Sequence, residues 1–399
     1  MSMIRVQLKP GREKSILRGH PWIFSGSIAR TSGGDAQEYS GHTVKVIDAD
    51  DNFLAWGALS PSSKIRVRIW TRNQEEVVGP DYLGTCLEQA IDNRKQFIPA
   101  TEVNAYRLVH GESDGLPGLI VDKYAGTLVV QFLTCGVEHW RDTLVDLLRE
   151  ITGCDSIYER SDMDVRRLEG LSPQKGPLKG DAITNPIQIM EGNLHYWVDV
   201  TKGQKTGFFL DQRENRSKVQ EIAGNKSVLD CFAYTGGFTI AALKGGAKGV
   251  TAVDSSGEAI KLGRENLDLN QIPELSVEWL EANVFTQLRD FRDRNRSFDM
   301  IILDPPKFAP TAAHAQKAAR GYKDINLLAF KLLNPNGLLV TFSCSGGVSA
   351  DLFQKIVAGA ARDAGVGAKI IGRLGPGVDH PVALTFPEGA YLKGLIIQV

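Results

Sequence analysis

The chain has 399 residues, 42% of them hydrophobic and 23% charged, with a formal net charge of −1. That length is two to three times a typical domain, so two or three cores are expected, and the composition excludes a collagen, a coiled coil and a disordered chain. The near-zero charge gives no general argument for nucleic acid, and no stretch approaches the roughly 20 apolar residues of a membrane span.

The charge is nonetheless uneven. Residues 1–72 carry 11 basic against 6 acidic side chains, residues 73–185 carry 11 against 19, and residues 186–399 carry 24 against 22. The opening MSMIRVQLKPGREKS lacks the apolar centre of a signal peptide, so a cytoplasmic protein with no membrane attachment is expected. The five cysteines, Cys86, Cys135, Cys154, Cys231 and Cys344, are odd in number and widely spaced. Without a C-x-x-C pair they mark neither a zinc site nor a redox dithiol, and no metal is expected.

Residues 1–72 hold the β-rich runs HTVKVID, FLAWGAL and KIRVRIW between Gly, Ser and Asp turns, which predict a small β-barrel or sandwich. Arg12, Lys14 and Arg18 stand there near His20, Trp22 and Phe24. Charges for phosphates and rings for stacking are the two contributions that RNA binding combines; a solvated basic face is the plain alternative. Residues 73–185 predict a small α+β unit: a helix near 81–97, strands LIVDKY and TLVVQFL, a helix over VEHWRDTLVDLLREI and a strand at SIYERS. LSPQKGPLKGDAITNP, rich in Pro, Gly and Lys, reads as a boundary, and IQIMEGNLHYWVDV as a hairpin turning at Glu191-Gly192-Asn193.

From residue 212 onward strands alternate with helices: SVLDCF, GVTAVD, SVEWLEANV, FDMIILD and GLLVTFSCS. Such alternation predicts a parallel sheet covered on both faces, so residues 186–399 are expected to form a Rossmann-like α/β domain behind the two smaller ones. The closing PVALTFPEGAYLKGLIIQV has no helix between its two apolar runs and predicts a terminal antiparallel hairpin.

Ligands of open parallel sheets lie beyond the carboxyl ends of the strands. The first strand runs into DCFAYTGGF, from Asp230 to Phe238, a turn whose glycines let the backbone approach a bound molecule. The second ends at Asp254, an acid that can chelate two ribose hydroxyls, followed by a capping box from Ser255 to Glu258. A dinucleotide site would ask for G-x-G-x-x-G to seat a pyrophosphate, whereas these glycines are adjacent. A ligand with a ribose and no phosphates fits better, and S-adenosylmethionine is such a ligand. After the third strand Asn283 either meets an adenine amino group or caps the helix near Thr286.

The fourth strand ends in Asp304-Pro305-Pro306-Lys307-Phe308, a stiff loop that holds an acid at the mouth of the sheet, where it can bond the edge of a base. The fifth ends in Phe342-Ser343-Cys344-Ser345-Gly346-Gly347, which brings a thiol to the adjacent strand end. A pyrimidine C5 is a poor nucleophile until a thiolate adds at C6, so the pairing predicts a thiol-adduct methyltransferase with Cys344 as nucleophile. Methylation of an exocyclic or amide nitrogen, which needs no thiol, and a non-catalytic RNA-binding assembly factor are the alternatives.

Together these segments resemble the ribosomal RNA large subunit methyltransferase I family, which makes 5-methylcytosine in bacterial 23S RNA. GREKSILRGHPWIFSGSI, from Gly11 to Ile28, is similar to that family's RNA-binding PUA domain; RLVHGESDGLPGLIVDKY, from Arg107 to Tyr124, to its central domain; and KTGFFLDQR, from Lys205 to Arg213, to its lead-in to a class I methyltransferase core. The resemblance implies a PUA-like domain over 1–72, a central domain over 73–185 and a methyltransferase domain over 186–399. It also implies S-adenosylmethionine as cofactor, held by Gln212, Arg213, Asp230, Tyr234, Thr235, Gly236, Asp254 and Asn283, the last in place of the family's usual acid. Cys344 and Asp304 would be catalytic, and Arg12, Lys14, Arg18 and Trp22 would hold RNA. The implied partner is 23S ribosomal RNA, naked or in an early assembly intermediate, with a homodimer as the assembly.

Overall fold

The computed structural model describes residues 3–34, 37–308 and 315–399. The chain forms two compact units, one of Met1–Ile189, Val198–Leu210 and Val378–Gly389, the other of Met190–Trp197, Asp211–Gly377 and Ala390–Val399.

The first unit contains two sheets. Strands β1 (Arg5–Leu8), β2 (Trp22–Phe24), β3 (Ile28–Ser32), β4 (Thr43–Ile47), β5 (Phe53–Leu59) and β6 (Ile65–Thr71), with the helical turn α1 (Lys14–Leu17), form a sheet in the order β2-β6-β5-β4-β1-β3. The three runs read from the sequence are β4, β5 and β6, paired antiparallel in that succession. Val44 and Val46 alternate with half-exposed Thr43 and Lys45, so one face of β4 enters a core with Val6, Leu8, Leu59 and Val67.

The second sheet has the order β11-β10-β9-β8-β7. Its elements are α2 (Pro80–Lys95), β7 (Ala105–His110), β8 (Leu119–Tyr124), β9 (Thr127–Phe132), α3 (Cys135–His139), α4 (Arg141–Thr152), β10 (Ser156–Ser161), α5 (Val165–Leu168) and β11 (Gln174–Lys179). One expectation is corrected here. The helix over VEHWRDTLVDLLREI is two helices, α3 and α4, meeting at Trp140, whose ψ of 11° ends one and starts the other. The segment LSPQKGPLKGDAITNP, read as a boundary, contributes β11, which pairs with β10 at the sheet edge. An edge is where a strand tolerates Pro177 and Gly176, because one side of it makes no ladder.

The second unit is built on a parallel sheet. A hairpin of β12 (Ile187–Glu191) and β13 (Leu194–Val198), turning through Gly192 at φ 61°, leads into it. There follow α6 (Arg213–Ile222), β14 (Ser227–Cys231), α7 (Gly237–Lys244), β15 (Gly249–Asp254), α8 (Gly257–Leu269), β16 (Val277–Glu281), α9 (Val284–Asp293), β17 (Phe298–Leu303), α10 (Ala315–Leu332), β18 (Leu333–Ser343), α11 (Ala350–Ala364), β19 (Lys369–Leu374) and β20 (Lys393–Gln398). The strand order is β16-β15-β14-β17-β18-β20-β19, with β20 antiparallel to both neighbours. The order reverses between β14 and β17, which opens a crevice at their carboxyl ends. Leu229, Cys231, Ile301, Leu303 and Leu339 are fully buried in the core, as a strand covered on both faces requires.

The terminal hairpin is also corrected. Residues 381–386 form no strand; β20 pairs instead with β19, and Val378–Gly389 belongs to the first unit. The segment PVALTF was apolar for a reason other than sheet pairing: Phe386 is buried and packs its ring against Trp22 at 4.8 Å.

Candidate functional site

Strand register brings the carboxyl ends together. Cys231 pairs with Leu303, and Leu303 with Thr341, so Asp230, Asp304 and Cys344 lie at successive strand ends around the order reversal. The Asp304 amide donates to the Cys231 carbonyl at 3.4 Å, tying the stiff Asp-Pro-Pro loop to β14.

The turn after β14 is held in an unusual backbone conformation: Phe232 at φ 65°, Tyr234 at 51° and Gly236 at 81°. Only Gly236 adopts it without a side-chain penalty, and a Cβ there would meet the Trp279 ring at 2.9 Å. The Tyr234 amide donates to Asp254 Oδ2 at 2.8 Å and the Ser256 amide to Oδ1 at 2.9 Å, so the turn and the acid at the end of β15 are locked as one piece. The cap of α8 is Ser256, which accepts from the Ala259 amide, rather than Ser255 as the spacing predicted. The residue after a strand needs one further position to turn before it can cap.

Asp230 is 1% exposed, and Thr239 Oγ1 donates to its Oδ2 at 2.7 Å. Burial, reinforced by the charges of Asp304 and Asp254, raises its carboxyl to about 7 against the opposing bond from Thr239. Its Oδ1 and the hydroxyl of Thr235 are buried with no partner among the described residues. Orphaned polar atoms at the mouth of a glycine turn are what a bound polar ligand would satisfy. Gln212 is buried as well. Its Nε2 donates to Asp304 Oδ2 at 3.0 Å and its Oε1 accepts from Asn215 Nδ2 at 2.5 Å, so the start of α6 orients the acid of the fourth strand end. Arg213 is the first residue of α6 and 9% exposed. Asn283 caps α9, its Oδ1 accepting from the amides of Phe285 and Thr286 at 3.0 and 3.3 Å. The oxygen is thereby engaged in the cap.

Cys344 is a half-buried thiol whose Sγ donates to the Pro305 carbonyl at 3.9 Å. Two neighbours, Tyr322 and Lys393, escaped the sequence reading because they come from distant elements. Buried Tyr322 of α10 exchanges a hydrogen bond of 2.9 Å with Ser345 Oγ, and burial raises its phenol. Phe308 bridges Tyr322 and Phe285, with ring centroids 4.8 and 5.9 Å away. Lys393 of β20, paired across from Ser343, reaches the carbonyls of Ser345 and Val348 at 2.8 and 2.5 Å. Its burial, with repulsion from Lys307, lowers its ammonium to about 8.

In the first unit Arg12, Lys14 and Arg18 are exposed around α1. A cavity of about 170 Å³ is lined by Arg12, Ile16, His20, Trp22 and Phe24, among others. Trp22 is committed structurally: its Nε1 donates to Glu112 at 2.8 Å and its ring packs on Phe386. Phe24, 47% exposed, offers the larger aromatic surface.

A family model described as S-adenosylmethionine-dependent methyltransferase matches residues 175–382, and one described as PUA-like domain matches residues 6–72. The chain is 48% identical to the ribosomal RNA large subunit methyltransferase I of Shewanella denitrificans over 99% of both chains, and 47% identical to that of Aeromonas salmonicida over 98% of both. Among solved structures, a Streptococcus mutans protein provisionally designated a SAM-dependent methyltransferase superposes with a TM-score of 0.86 at 23% identity, over the full length of both. SMU.776, provisionally designated a methyltransferase and solved in complex with SAH, gives 0.87 at 23% identity, again over both full chains. The fold is thus a methyltransferase fold, and the orphaned atoms of Asp230 and Thr235 beside the Gly236 turn fit S-adenosylmethionine as its cofactor. With near-half identity along the whole chain added to that site, the protein belongs to the ribosomal RNA large subunit methyltransferase I family of S-adenosylmethionine-dependent enzymes.

Proposed function

We propose that the protein methylates C5 of a cytosine in 23S ribosomal RNA through a covalent adduct between Cys344 and C6 of the base. The observation that carries this reading is the thiol of Cys344 held 3.9 Å from the loop that begins with Asp304, at the strand end next to it. Nitrogen methylation would leave a sulfur in that position without a task.

Asp254 would take the ribose hydroxyls of the cofactor, Asp230 with Thr235 its amino-acid end, and Asn283 Nδ2 a ring nitrogen of adenine; Gln212, Arg213, Tyr234 and Gly236 would frame the pocket. Bound S-adenosylmethionine supplies an electrophilic methyl group. The Cys344 thiolate adds to C6, which makes C5 enamine-like and able to accept that methyl; loss of the C5 proton then expels the thiolate. Asp304, oriented by Gln212, accepts from the exocyclic amino group of cytosine and holds the ring over the sulfur. The nucleotide must leave its stack, at a cost of a few kcal/mol that falls for an unpaired base, so naked RNA or an early assembly intermediate is the favoured substrate. The PUA-like match and the exposed basic residues around α1 support RNA capture by Arg12, Lys14 and Arg18, with Trp22 as a structural support. Three functional domains over 1–72, 73–185 and 186–399, a cytoplasmic location and a homodimer complete the proposal. Among the described residues no helix is long and apolar enough to cross a membrane.

RNA carrying 5-fluorocytidine tests the adduct directly, since fluorine cannot leave C5 as a proton does. The wild-type protein is expected to form a denaturation-resistant complex whose cross-linked peptide contains Cys344. A complex absent, or attached elsewhere, contradicts the thiol mechanism.

A further inference from the structure

We propose that Lys393 is the positioning residue that stabilises the Cys344 thiolate before it meets the base. The inference rests on the nucleophile reading and names the group that would activate it. A thiol is a competent nucleophile only as thiolate, and in water most of it is protonated near neutral pH. Cys344 therefore needs a nearby positive charge.

The geometry supplies one. β20 runs antiparallel to β18 with Lys393 opposite Ser343, one residue before the thiol. Two of the three N–H groups of Lys393 donate to the Ser345 and Val348 carbonyls, which fixes the ammonium inside the loop that starts at Cys344. A surface lysine would be hydrated and mobile; this one is half-buried and anchored by two carbonyls of the loop after Cys344. The charge of a Cys344 thiolate favours the protonated amine, so each group holds the other in its charged form.

The other groups around the sulfur do not replace it. Asp304 and Lys307 come from the segment after β17, the first opposing a thiolate and the second exposed; Tyr322 of α10 is a neutral phenol engaged with Ser345. Lys393 is the cation among them that the backbone itself holds in place. The thiol proton leaves to solvent, and no other bond changes in this step.

The test is the pH dependence of Cys344 alkylation by iodoacetamide in the full-length protein, resolved from the other four cysteines by peptide mass spectrometry. Lys393→Met removes the charge, Lys393→Gln removes it but keeps a donor for the carbonyls, and Lys393→Arg retains it. Both neutral variants are expected to move the alkylation midpoint up by about one pH unit, slowing the reaction roughly tenfold at pH 7, with arginine close to wild type. An unchanged midpoint in either neutral variant, with its folding verified by circular dichroism, overturns the inference. The readout needs neither RNA nor cofactor, so it stands apart from the nucleophile reading, which fails separately if Cys344→Ala retains methylation.

Discussion

At Asp230 burial and two neighbouring acids raise the carboxyl to about 7, and that single residue ties stability to pH. Its folded value lies above the unfolded value near 4, so the folded protein holds the proton more tightly. The stabilisation from the neutral form is complete below pH 4 and is lost as pH rises to about 7, by as much as about 4 kcal/mol. Asp230→Asn should flatten the melting temperature between pH 4 and 7; a profile parallel to wild type would show that this carboxyl does not titrate there. If Asp230 meets the ammonium of the cofactor, affinity for S-adenosylmethionine should fall below pH 7, because the neutral acid loses the ion pair. Calorimetric titration at pH 6 and pH 8 reads this, and equal affinities would remove Asp230 from the cofactor site. At Cys344 the expectation is sharper: Cys344→Ala should keep cofactor affinity and lose turnover to below a tenth of wild type, more than ~1.4 kcal/mol of barrier.

Among the elements, the turn between β14 and α7 concentrates the constraint. Gly236→Ala places a methyl 2.9 Å from the Trp279 ring in a left-handed backbone, so it should cost about 1–3 kcal/mol and weaken cofactor binding together. Unchanged melting and affinity would mean that the turn tolerates the shift. Asn283→Ala removes two cap bonds from α9 and should destabilise the protein by about 1 kcal/mol; Asn283→Asp keeps the cap and tests the adenine contact separately. The positions of Asp230, Asp254, Asp304 and Cys344 at or beside strand ends were legible in the sequence because parallel strands are apolar runs that stop at their carboxyl ends. What was hidden had weak local pattern: β11 carries Pro177 and Gly176, and the edge strand β19 leaves Ile371 55% exposed. Tyr322 and Lys393 meet the loop that starts at Cys344 through tertiary packing, which no spacing along the chain encodes.

For the whole molecule, RNA capture around α1 and methyl transfer at the parallel sheet are proposed as separate tasks. Replacing Arg12, Lys14 and Arg18 by alanine should weaken RNA binding and lower the slope of log affinity against log salt by about 2, at unchanged cofactor affinity. A slope equal to wild type would assign RNA capture to another surface. Trp22→Ala should instead lower stability, since its ring and indole nitrogen are engaged with Phe386 and Glu112. The most direct measurement is of the product itself. The purified protein is incubated with tritiated S-adenosylmethionine and deproteinised 23S RNA from a strain lacking the enzyme, and the labelled nucleoside is identified after digestion. Label in 5-methylcytidine is the predicted result, whereas label in any other nucleoside, or none in RNA, would contradict the cytosine C5 chemistry.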